Sequence, residues 1–325
     1  MSNLDFPREQ FEIIVVDDQS SDDTAGVAQL FFTANPELDG HVIRLSKAHP
    51  GGKKEAISQG IKLSKNPLIV TTDADCLVPA SWLKSGVSFY EQTGAKMIAA
   101  PVTMSASNSF FRELQELEML GLQAVAGASI QLAQPVLCNG ANLFYEKEAF
   151  LAVGGYDDNT KIKSGDDLFL LQKVRKKYPG SVKFLKARDA CIQTAPSGST
   201  EEFLKQRKRW VSKVIYIPDV TTIAVAFIVY STNLLLLIDL ALWVLIPDFS
   251  GLLLIITFGV KALTDFLFLH LSASFFGRGY LMRNFVVAEL LYIVYVSMIG
   301  VLGNIAKYNW KGRSSEHRMF VNNNS

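Results

Sequence analysis

The stretch Leu68-Ile-Val-Thr-Thr-Asp-Ala-Asp-Cys76 carries two carboxylates at the end of a predicted strand. A buried parallel strand is a continuous apolar run, and ligands collect where such strands end. Asp73 and Asp75 would offer hard oxygen ligands there for Mg2+ or Mn2+, which prefers carboxylates together with substrate phosphates. An acidic strand end is also common as a solvated turn or a helix cap. The surrounding sequence therefore decides whether the two carboxylates carry chemistry.

Strand-like and helix-like segments alternate on both sides of this stretch. Apolar runs predict strands at 11–16, 42–45, 68–72, 97–100 and 142–145, and helices that end near residues 34 and 63, start at Pro79, or span 108–128 and 166–177. Strands joined by helical crossovers predict an α/β fold, with a mainly parallel sheet and helices on both faces. Sheets of this class usually begin with a strand before the first one seen here, and residues 1–10 are too polar to form it. We therefore expect the chain as given to lack its first strand.

The charge is unevenly distributed along the 325 residues. Residues 1–213 carry 25 Lys and Arg and 25 Asp and Glu, whereas residues 214–325 carry seven and six. The balanced front half argues against a nucleic-acid partner, which calls for a basic surface. Cys76, Cys138 and Cys191 form no zinc or disulfide spacing, which indicates buried thiols in a reducing compartment. The polar first residues are not a secretory signal, so the front half is predicted to stay in the cytosol.

The back half contains three stretches long and apolar enough to cross a bilayer, at 220–246, 251–276 and 285–305. Basic residues lie just before the first stretch and between the second and third. They predict a multi-pass protein of the cell membrane with both basic segments in the cytoplasm. Three true spans would place the basic tail outside, so either the last stretch is re-entrant or interfacial, or the charge rule fails here. The predicted regions are a catalytic domain at 1–199, an interfacial helix at 200–216, a membrane region at 217–306 and a tail at 307–325.

Five motifs follow one another in the front half. They are Val-Val-Asp-Asp-Gln-Ser-Ser-Asp (15–22), Gly-Gly-Lys-Lys-Glu-Ala-Ile (51–57), Asp-Ala-Asp (73–75), Gly-Asp-Asp-Leu (165–168) and Gln-Arg-Lys-Arg-Trp (206–210). In this order and spacing the sequence resembles the family-2 glycosyltransferases of the GT-A fold, from about residue 11 to 214. It is similar to their membrane-integrated branch, which includes cellulose, chitin, hyaluronan and poly-N-acetylglucosamine synthases. The segment 139–157 also resembles the acceptor-side strand and loop of that family.

The first two motifs predict a site for the donor nucleotide. A carboxylate at the end of the first strand can accept the N–H of a nucleobase, and the resemblance places uracil recognition at Asp17 and Asp18. The sequence does not separate these two residues, and a helix cap is their alternative role. Lys53 follows paired glycines at a helix start, where a diphosphate can meet backbone N–H groups and the positive helix end. The neighbouring Lys54 is expected to be an ordinary solvated lysine.

The resemblance assigns the metal and the catalytic base to the next two motifs. Asp73 and Asp75 would hold Mg2+ or Mn2+, which neutralises the leaving nucleoside diphosphate. Inverting transfer needs a base that takes the proton of the acceptor hydroxyl, and Asp167 aligns with the family's base. Asp166 replaces the family's glutamate in the acceptor site with a side chain one methylene shorter. A carboxylate in the first turn of a helix is also an ordinary electrostatic preference.

Gln206, Arg209 and Trp210 match the family's Gln-x-x-Arg-Trp motif, and their spacing places them on one helical face. Arginine suits a diphosphate, and tryptophan offers a stacking platform for an acceptor sugar. The alternative is a basic, aromatic helix at the membrane surface, where both residue types are common. The two interpretations are compatible with each other.

Four ionisable residues lie within the apolar stretches, where charges are costly and often functional: Asp239, Lys261, Asp265 and Glu289. Lys261 and Asp265 are four residues apart and share a helical face. A pore for an exported polymer and a plain ion pair between helices explain these charges equally well. Three spans are few for a polysaccharide channel, so either the product is a glycolipid or export needs a translocation subunit.

The sequence therefore predicts an inverting, metal-dependent glycosyltransferase at the cytoplasmic membrane face. Its predicted donor is a nucleotide-sugar, with a uridine diphosphate sugar favoured, and its acceptor is a glycan or a lipid. Two alternatives belong to other classes. A sugar-nucleotide pyrophosphorylase would share the sheet and the paired aspartates, but it normally has a Gly-rich phosphate loop near its start and no apolar spans. An inactive membrane-anchored scaffold is the other, because a missing first strand would leave the nucleotide pocket partly open.

Overall fold

The computed structural model describes residues 1–46, 51–106, 109–157, 165–214, 217, 219–246, 250–305, 309–310 and 313–314. Within them the helices are α1 (Thr24–Ala34), α2 (Lys53–Leu63), α3 (Trp82–Thr93), α4 (Phe110–Gln131), α5 (Lys147–Ala152), α6 (Asp166–Lys177), α7 (Thr200–Val214), α8 (Val220–Leu245), α9 (Leu252–Phe275) and α10 (Phe285–Ile305). The strands are β1 (Glu12–Asp17), β2 (Asp39–Arg44), β3 (Leu68–Thr71), β4 (Met97–Ala99), β5 (Val102–Met104), β6 (Leu143–Glu146), β7 (Val182–Phe184), β8 (Ile192–Thr194), β9 (Asn309–Trp310) and β10 (Arg313–Ser314).

The central sheet has four strands in the order β3-β6-β4-β7. The predicted α/β fold is confirmed, and the sheet is mixed, because β6 runs antiparallel to both β3 and β4 while β4 and β7 are parallel. A strand that is apolar on both faces reads the same in either direction, so its sequence pattern does not reveal this reversal. The parallel pair of β5 and β8 consists of strands only three residues long, too short for the pattern to indicate them.

The strands β1 and β2 form a separate parallel pair of six residues each, in full register. The helix α2 packs on β1, where Gly60 faces the side chains of Ile14 and Val16. Residues 1–11 contain the short 3-10 helix Arg8–Gln10 and no strand. The expectation that a further strand precedes β1 stays a prediction.

Helices cover both faces of the central sheet because the side chains of β4 and β6 alternate between two apolar cores. Met97 and Tyr145 point into one core, together with residues of α6. Ile98 and Phe144 point into the other, where the ring of Phe144 meets Trp82 of α3 edge to face at a centroid distance of 5.9 Å. This alternation is the period-2 pattern of a buried strand. The sheet with its two helical layers is therefore a firm base for the loops at its edges.

Two predicted element starts differ by three residues from those of the structure. The helix α3 begins at Trp82, three residues after Pro79, because the Trp82 N–H donates to the Pro79 carbonyl at 3.1 Å and closes a turn first. The strand β2 begins at Asp39, three residues before the predicted start, since it stays paired with β1 along its whole length. Both differences come from backbone pairing, which an apolar pattern marks only approximately.

The C-terminal part consists of long apolar helices. The segments Val220–Leu245, Leu252–Phe275 and Gly279–Gly300 are long and apolar enough to cross a membrane, by length and composition. Outward side chains on α8 and α9 are exposed, with Phe227 at 67% and Leu271 at 70%. The helices α8, α9 and α10 match the three predicted stretches to within one residue at each end.

The helix α4 joins the sheet to these apolar helices. Its apolar face packs on α9 and the turn after it through the cluster of Leu117, Leu120, Ala273 and Leu281. Three of its glutamates bind arginines from the C-terminal part: Glu113 with Arg283 (2.6 Å), Glu116 with Arg278 (3.0 Å) and Glu118 with Arg207 (2.5 Å). Carboxylates on a packed helix face need such partners, because an unpaired buried charge is costly. The ion pairs thereby fix the position of α4 on the C-terminal helices.

Asn142 is a buried polar hub at the start of β6. Its amide group donates to the carbonyl oxygens of Pro101 at 2.8 Å and Ala190 at 2.9 Å, and its oxygen accepts from the Trp82 indole at 2.9 Å. The residue is completely buried. An apolar replacement would therefore leave three buried polar groups without their partner.

We predict that Asn142→Leu destabilises the fold by about 3 kcal/mol or more, because each buried group left unsatisfied costs about 1–3 kcal/mol. The measurement is the melting temperature of the full chain in detergent. Asn139→Leu is the matched control, since the half-buried Asn139 only closes a local turn by accepting the N–H of Ala141. Equal melting temperatures of the two variants would contradict the role of Asn142.

Candidate active site

The two aspartates at the end of β1 have different contacts. Asp17 ends the strand, and its Oδ1 accepts the backbone N–H of Ser20 at 3.0 Å, which is a local turn. Asp18 reaches across to another loop, where its Oδ2 accepts the N–H of Gly52 at 2.7 Å. The structure thus separates two residues that the sequence left equivalent. Asp18 is the one that faces the Gly51-Gly52 loop.

This loop can approach Asp18 because both of its glycines have left-handed backbone conformations. Their φ angles are +67° at Gly51 and +103° at Gly52, a region in which other residues are strained. The helix α2 starts immediately afterwards at Lys53. The backbone N–H groups of the loop therefore lie at the positive end of a helix, beside a lysine, as the sequence predicted.

Lys53 is the cation of the site. Its Nζ lies 2.5 Å from Oδ1 of Asp73 and 3.9 Å from Oδ2 of Asp166. Burial works against the ammonium charge, but the surrounding carboxylates outweigh it and raise the pKa of Lys53 above its ordinary value. Lys54 corrects our expectation of a solvated lysine: it is buried, with its Nζ 4.9 Å from the ring centroid of Phe169.

Asp73 and Asp75 lie directly after β3, as predicted. Asp73 is half-buried and bound to Lys53, whereas Asp75 is exposed. The thiol of Cys76 lies 3.8 Å from Oδ1 of Asp75, and burial together with these two carboxylates raises its pKa to about 11. The thiol therefore stays neutral at physiological pH.

The carboxylates Asp166 and Asp167 begin α6, after a left-handed Gly165 with a φ of +86°. Asp166 is buried, with 11% of its side chain exposed, and it faces Lys53. Asp167 is half-buried, and its two oxygens accept the N–H groups of Gly140 at 3.1 Å and Leu168 at 2.8 Å. These bonds hold the carboxylate of Asp167 in a fixed orientation.

The donor set fits a divalent cation. Among the described residues, the carboxylates of Asp73, Asp166 and Asp167 all act on the ammonium of Lys53, and Asp75 adds a further exposed oxygen ligand. Hard cations bind such sets of carboxylate oxygens. Which of these residues hold a metal stays a prediction.

A second group of potential ligands lies at the other end of the β1–β2 pair. Glu12, Asp39 and His41 bring ligand atoms within 4.8 Å of one another in the described part of the chain. This end is about 17 Å along β1 from Asp17, at 3.3 Å per residue. Asp39 already binds His41 at 2.9 Å and Lys65 at 3.0 Å, which is an ordinary exposed charge cluster.

The motif residues of α7 lie together on one stretch of that helix. Gln206, Arg209 and Trp210 are half-buried. Arg207 lies between them in sequence, is 2% exposed, and has its guanidinium 4.2 Å from the Trp210 ring centroid. At one edge of the sheet the structure thus brings together Asp18, Lys53, Asp73, Asp166 and Asp167. Gln206 and Trp210 contact Arg207, which lies on the side of α4.

Sequence reasoning missed three residues that shape these groups: Gly140, Glu118 and Arg207. Gly140 supplies a backbone donor, and a Cβ there would lie 3.2 Å from Cβ of Asp167. Glu118 and Arg207 are 89 positions apart and meet only in the folded chain. The available signal was the row of glutamates on α4, which interrupts an otherwise apolar helix pattern.

Comparison with solved structures gives the class of protein. A mannosyltransferase from Pyrobaculum calidifontis, solved in complex with GDP-Man and Mn2+, is similar over 93% of this chain and 81% of that chain, with a TM-score of 0.51 and 15% identity. This likeness and the mixed sheet define the GT-A glycosyltransferase fold. Residues 2–152 match the model of Glycosyl transferase family 2. This match, which covers less than half of the chain, supports the family 2 glycosyltransferase domain that the motifs predicted.

Curated relatives are also transferases. Glycosyltransferase AglE of Haloferax volcanii is 27% identical over 169 residues, which are 50% of this chain and 50% of that protein. A Beta-monoglucosyldiacylglycerol synthase of Trichormus variabilis is 27% identical over 165 residues, which are 49% of this chain and 34% of that protein. This chain thus matches half or less of the length of these relatives. The similarity to the polysaccharide-synthase branch, the domain boundaries and the roles of the site residues stay predictions.

We predict that Gly52→Ala weakens binding of uridine diphosphate about tenfold, because the strain of about 1–3 kcal/mol at this φ would move the N–H away from Asp18. Isothermal titration calorimetry with Mn2+ present measures it. Gly94→Ala is the matched control, since Gly94 also has a positive φ of +58° and ends α3 with open space around it. A similar loss of affinity in both variants would mean that backbone strain alone, and not the Asp18 contact, is responsible.

Proposed function

We propose that this chain is an inverting glycosyltransferase that moves a sugar from a nucleotide-sugar to an acceptor at the cytoplasmic face of a membrane. The observation that carries the proposal is the convergence of Asp18, Lys53, Asp73, Asp166 and Asp167 at one edge of the sheet. A nucleotide-sugar offers the complementary groups, namely a base with N–H donors and a diphosphate that binds a lysine and a divalent ion.

The donor would be a uridine diphosphate sugar, bound first through Asp18 and the Gly51-Gly52 loop. Asp17 supports this contact by closing the turn that precedes α1. A Mg2+ or Mn2+ ion held by Asp73 and Asp75 would supply Lewis-acid neutralisation of the leaving diphosphate. Lys53 can then exchange its contact with Asp73 for a diphosphate oxygen, since its ammonium already lies at the helix start.

Asp167 is the proposed base. As the acceptor oxygen bonds to the anomeric carbon from one face, the bond to the diphosphate breaks on the other, and the hydroxyl proton passes to the Asp167 carboxylate. Gly140 and Leu168 hold this carboxylate by their N–H groups and keep its orientation fixed. Asp166 is more deeply buried and faces Lys53, which makes it the weaker candidate for contact with the acceptor.

The acceptor is proposed to be a lipid. Trp210 and Gln206 lie on α7, which packs against the apolar helix α10, so an acceptor at Trp210 would lie beside the apolar helices. The relative from Trichormus variabilis is named for a glycolipid product, beta-monoglucosyldiacylglycerol, which supports a lipid acceptor. A glycan acceptor would in addition require a path for export, and thus a translocation subunit.

The protein is proposed to be a multi-pass protein of the cell membrane, with α8 and α9 crossing it and α10 lying near its cytoplasmic surface. Tyr295 is ten residues into α10, about 15 Å along the helix, yet its hydroxyl still bonds to Glu118 of α4 at 3.2 Å. A helix that ran straight across the bilayer would have left the catalytic domain by this depth. An interfacial α10 also keeps the basic tail at 307–325 on the cytoplasmic side, in accord with the charge rule.

The topology can be tested with reporter fusions in a bacterial host. We predict that green fluorescent protein fused after Ser325 fluoresces and that alkaline phosphatase fused there is inactive, because both would remain in the cytoplasm. The same fusions after Ser250, between α8 and α9, should give the opposite result. An active phosphatase at Ser325 would show that α10 crosses the membrane.

The reaction is tested by metal-dependent release of nucleotide from a panel of nucleotide-sugars, using membranes that contain the full chain. We predict that Asp167→Asn lowers turnover about 100-fold or more, because general-base catalysis contributes at least that much, while uridine diphosphate binding stays within about twofold. Asp189→Asn, an exposed aspartate outside the site, is the control with the same chemical change.

Three results would contradict this assignment in different ways. Unchanged turnover of Asp167→Asn would show that Asp167 is not the base. Turnover that persists after chelation of divalent ions would contradict the metal role of Asp73 and Asp75. Absence of release with every donor would favour an inactive, membrane-anchored scaffold.

A further inference from the structure

The side chain of Arg207 is almost completely buried. Only 3% of its side chain is exposed. Its Nε donates to the two oxygens of Glu118 at 3.1 Å and 2.9 Å, and its Nη2 donates to Oε2 of the same carboxylate at 2.5 Å. A bidentate pair of this kind fixes both the position and the plane of an arginine.

Two aromatic rings of the same helix lie close to the guanidinium of Arg207. Its carbon lies 4.4 Å from the ring centroid of Phe203, four residues earlier, and 4.2 Å from that of Trp210, three residues later. Its Nη1 also donates to the side-chain oxygen of Gln206. Two of the three motif residues, Gln206 and Trp210, therefore contact Arg207 directly.

Glu118 receives a further bond from the apolar helices. The hydroxyl of Tyr295 on α10 donates to its Oε1 at 3.2 Å, and the ring of Tyr295 also meets Phe203 at a centroid distance of 5.5 Å. The carboxylate thus has partners on α7 and on α10 while it belongs to α4. One side chain sets the relative position of three helices at this place.

We propose that Glu118, supported by Tyr295, is a positioning residue for the acceptor side of the active site. It fixes Arg207 between Phe203 and Trp210, and so determines how the Trp210 indole and the Gln206 amide face the acceptor. This inference rests on the proposed function, since the acceptor site is part of that function. Neither Glu118 nor Tyr295 needs to touch a substrate for this role.

The alternative is that the Glu118–Arg207 pair only stabilises the junction of α4 with the C-terminal helices. Glu113 offers a control within the same helix, because it pairs with Arg283 and Asn284 at 2.6 Å each and belongs to the same junction. These partners lie in the turn before α10 and at its boundary, not on α7. Glu113→Gln therefore removes another ion pair of the same junction and leaves the contacts of Trp210 in place.

The first measurement is kinetic and uses the full chain in lipid nanodiscs, with uridine diphosphate glucose as donor and dioleoylglycerol as the first acceptor probe. We expect Glu118→Gln to raise the KM for the acceptor about tenfold, while acceptor-independent nucleotide release and the donor KM stay within about twofold. Tyr295→Phe should raise the acceptor KM by about twofold to threefold, since it removes one neutral hydrogen bond. Glu113→Gln should leave both KM values unchanged.

The second measurement does not depend on activity. The full chain is labelled with 5-fluorotryptophan, and the 19F resonance of Trp210 is assigned by its loss in Trp210→Phe. We expect this resonance to shift or broaden in Glu118→Gln and in Tyr295→Phe, and to stay in place in Glu113→Gln. Tyr295→Phe provides the test if Glu118→Gln does not fold.

The outcomes separate this inference from the proposed function. An unchanged Trp210 resonance in Glu118→Gln, or an equal change in Glu113→Gln, would overturn the positioning role. A shifted resonance with an unchanged acceptor KM would show that the orientation of Trp210 does not serve the acceptor, which also overturns it. If the wild-type chain transfers sugar from no donor, the proposed function fails, and the resonance alone decides whether Glu118 positions Trp210.

Discussion

The pairing of the acidic residues on α4 is the constraint on which the arrangement of the molecule depends. A carboxylate on a packed helix face is tolerated only with a partner of opposite charge, because its desolvation is not otherwise compensated. Glu113, Glu116 and Glu118 each pair with an arginine, two of them in the turn between α9 and α10 and one on α7. Apolar contacts between α4 and α9 would permit sliding of one helix on the other, whereas three separate ion pairs define a single register.

The charged groups at the edge of the sheet are arranged differently from those on α4. Among the described residues, the carboxylates of Asp73, Asp166 and Asp167 all act on the ammonium group of Lys53. The backbone bonds to Asp167 hold this carboxylate in place, and Asp166 lies 3.9 Å from the ammonium of Lys53. In the proposed function such a cluster of carboxylates binds a cation, and the cation binds the phosphate groups of the donor.

The sequence predicted the location of the site because the chemistry is local there. Asp73 follows an apolar strand and Lys53 follows two glycines at a helix start, and both features are legible within a few residues. The sequence did not show the direction of β6, since the pattern of an apolar strand is the same in both directions. The sequence did not show the burial of Lys54 either, because only the fold brings this lysine close to the ring of Phe169.

The same distinction explains why Arg207 was overlooked within a motif that was otherwise recognised. It occupies a position for which the motif specifies no residue type, and its partner Glu118 lies 89 residues earlier. A pairing across this separation depends on how α4 and α7 are placed by the whole fold. The sequence showed glutamates on one helix and arginines on others, but it did not show which pairs would form.

The charged residues within the apolar helices complete this picture. The ammonium of Lys261 bonds to Asp265 at 2.8 Å and to Glu289 of α10, and only 9% of its side chain is exposed. Such full pairing favours the interhelical ion pair over a pore lining, for which a side chain would face an open path. Glu289 thus fixes one part of α10 to α9, and Tyr295 fixes another part to α4. The helix α10 also packs on α7, so the apolar helices are connected to the helix that carries Trp210. A bilayer that holds the apolar helices would therefore also set the position of α7.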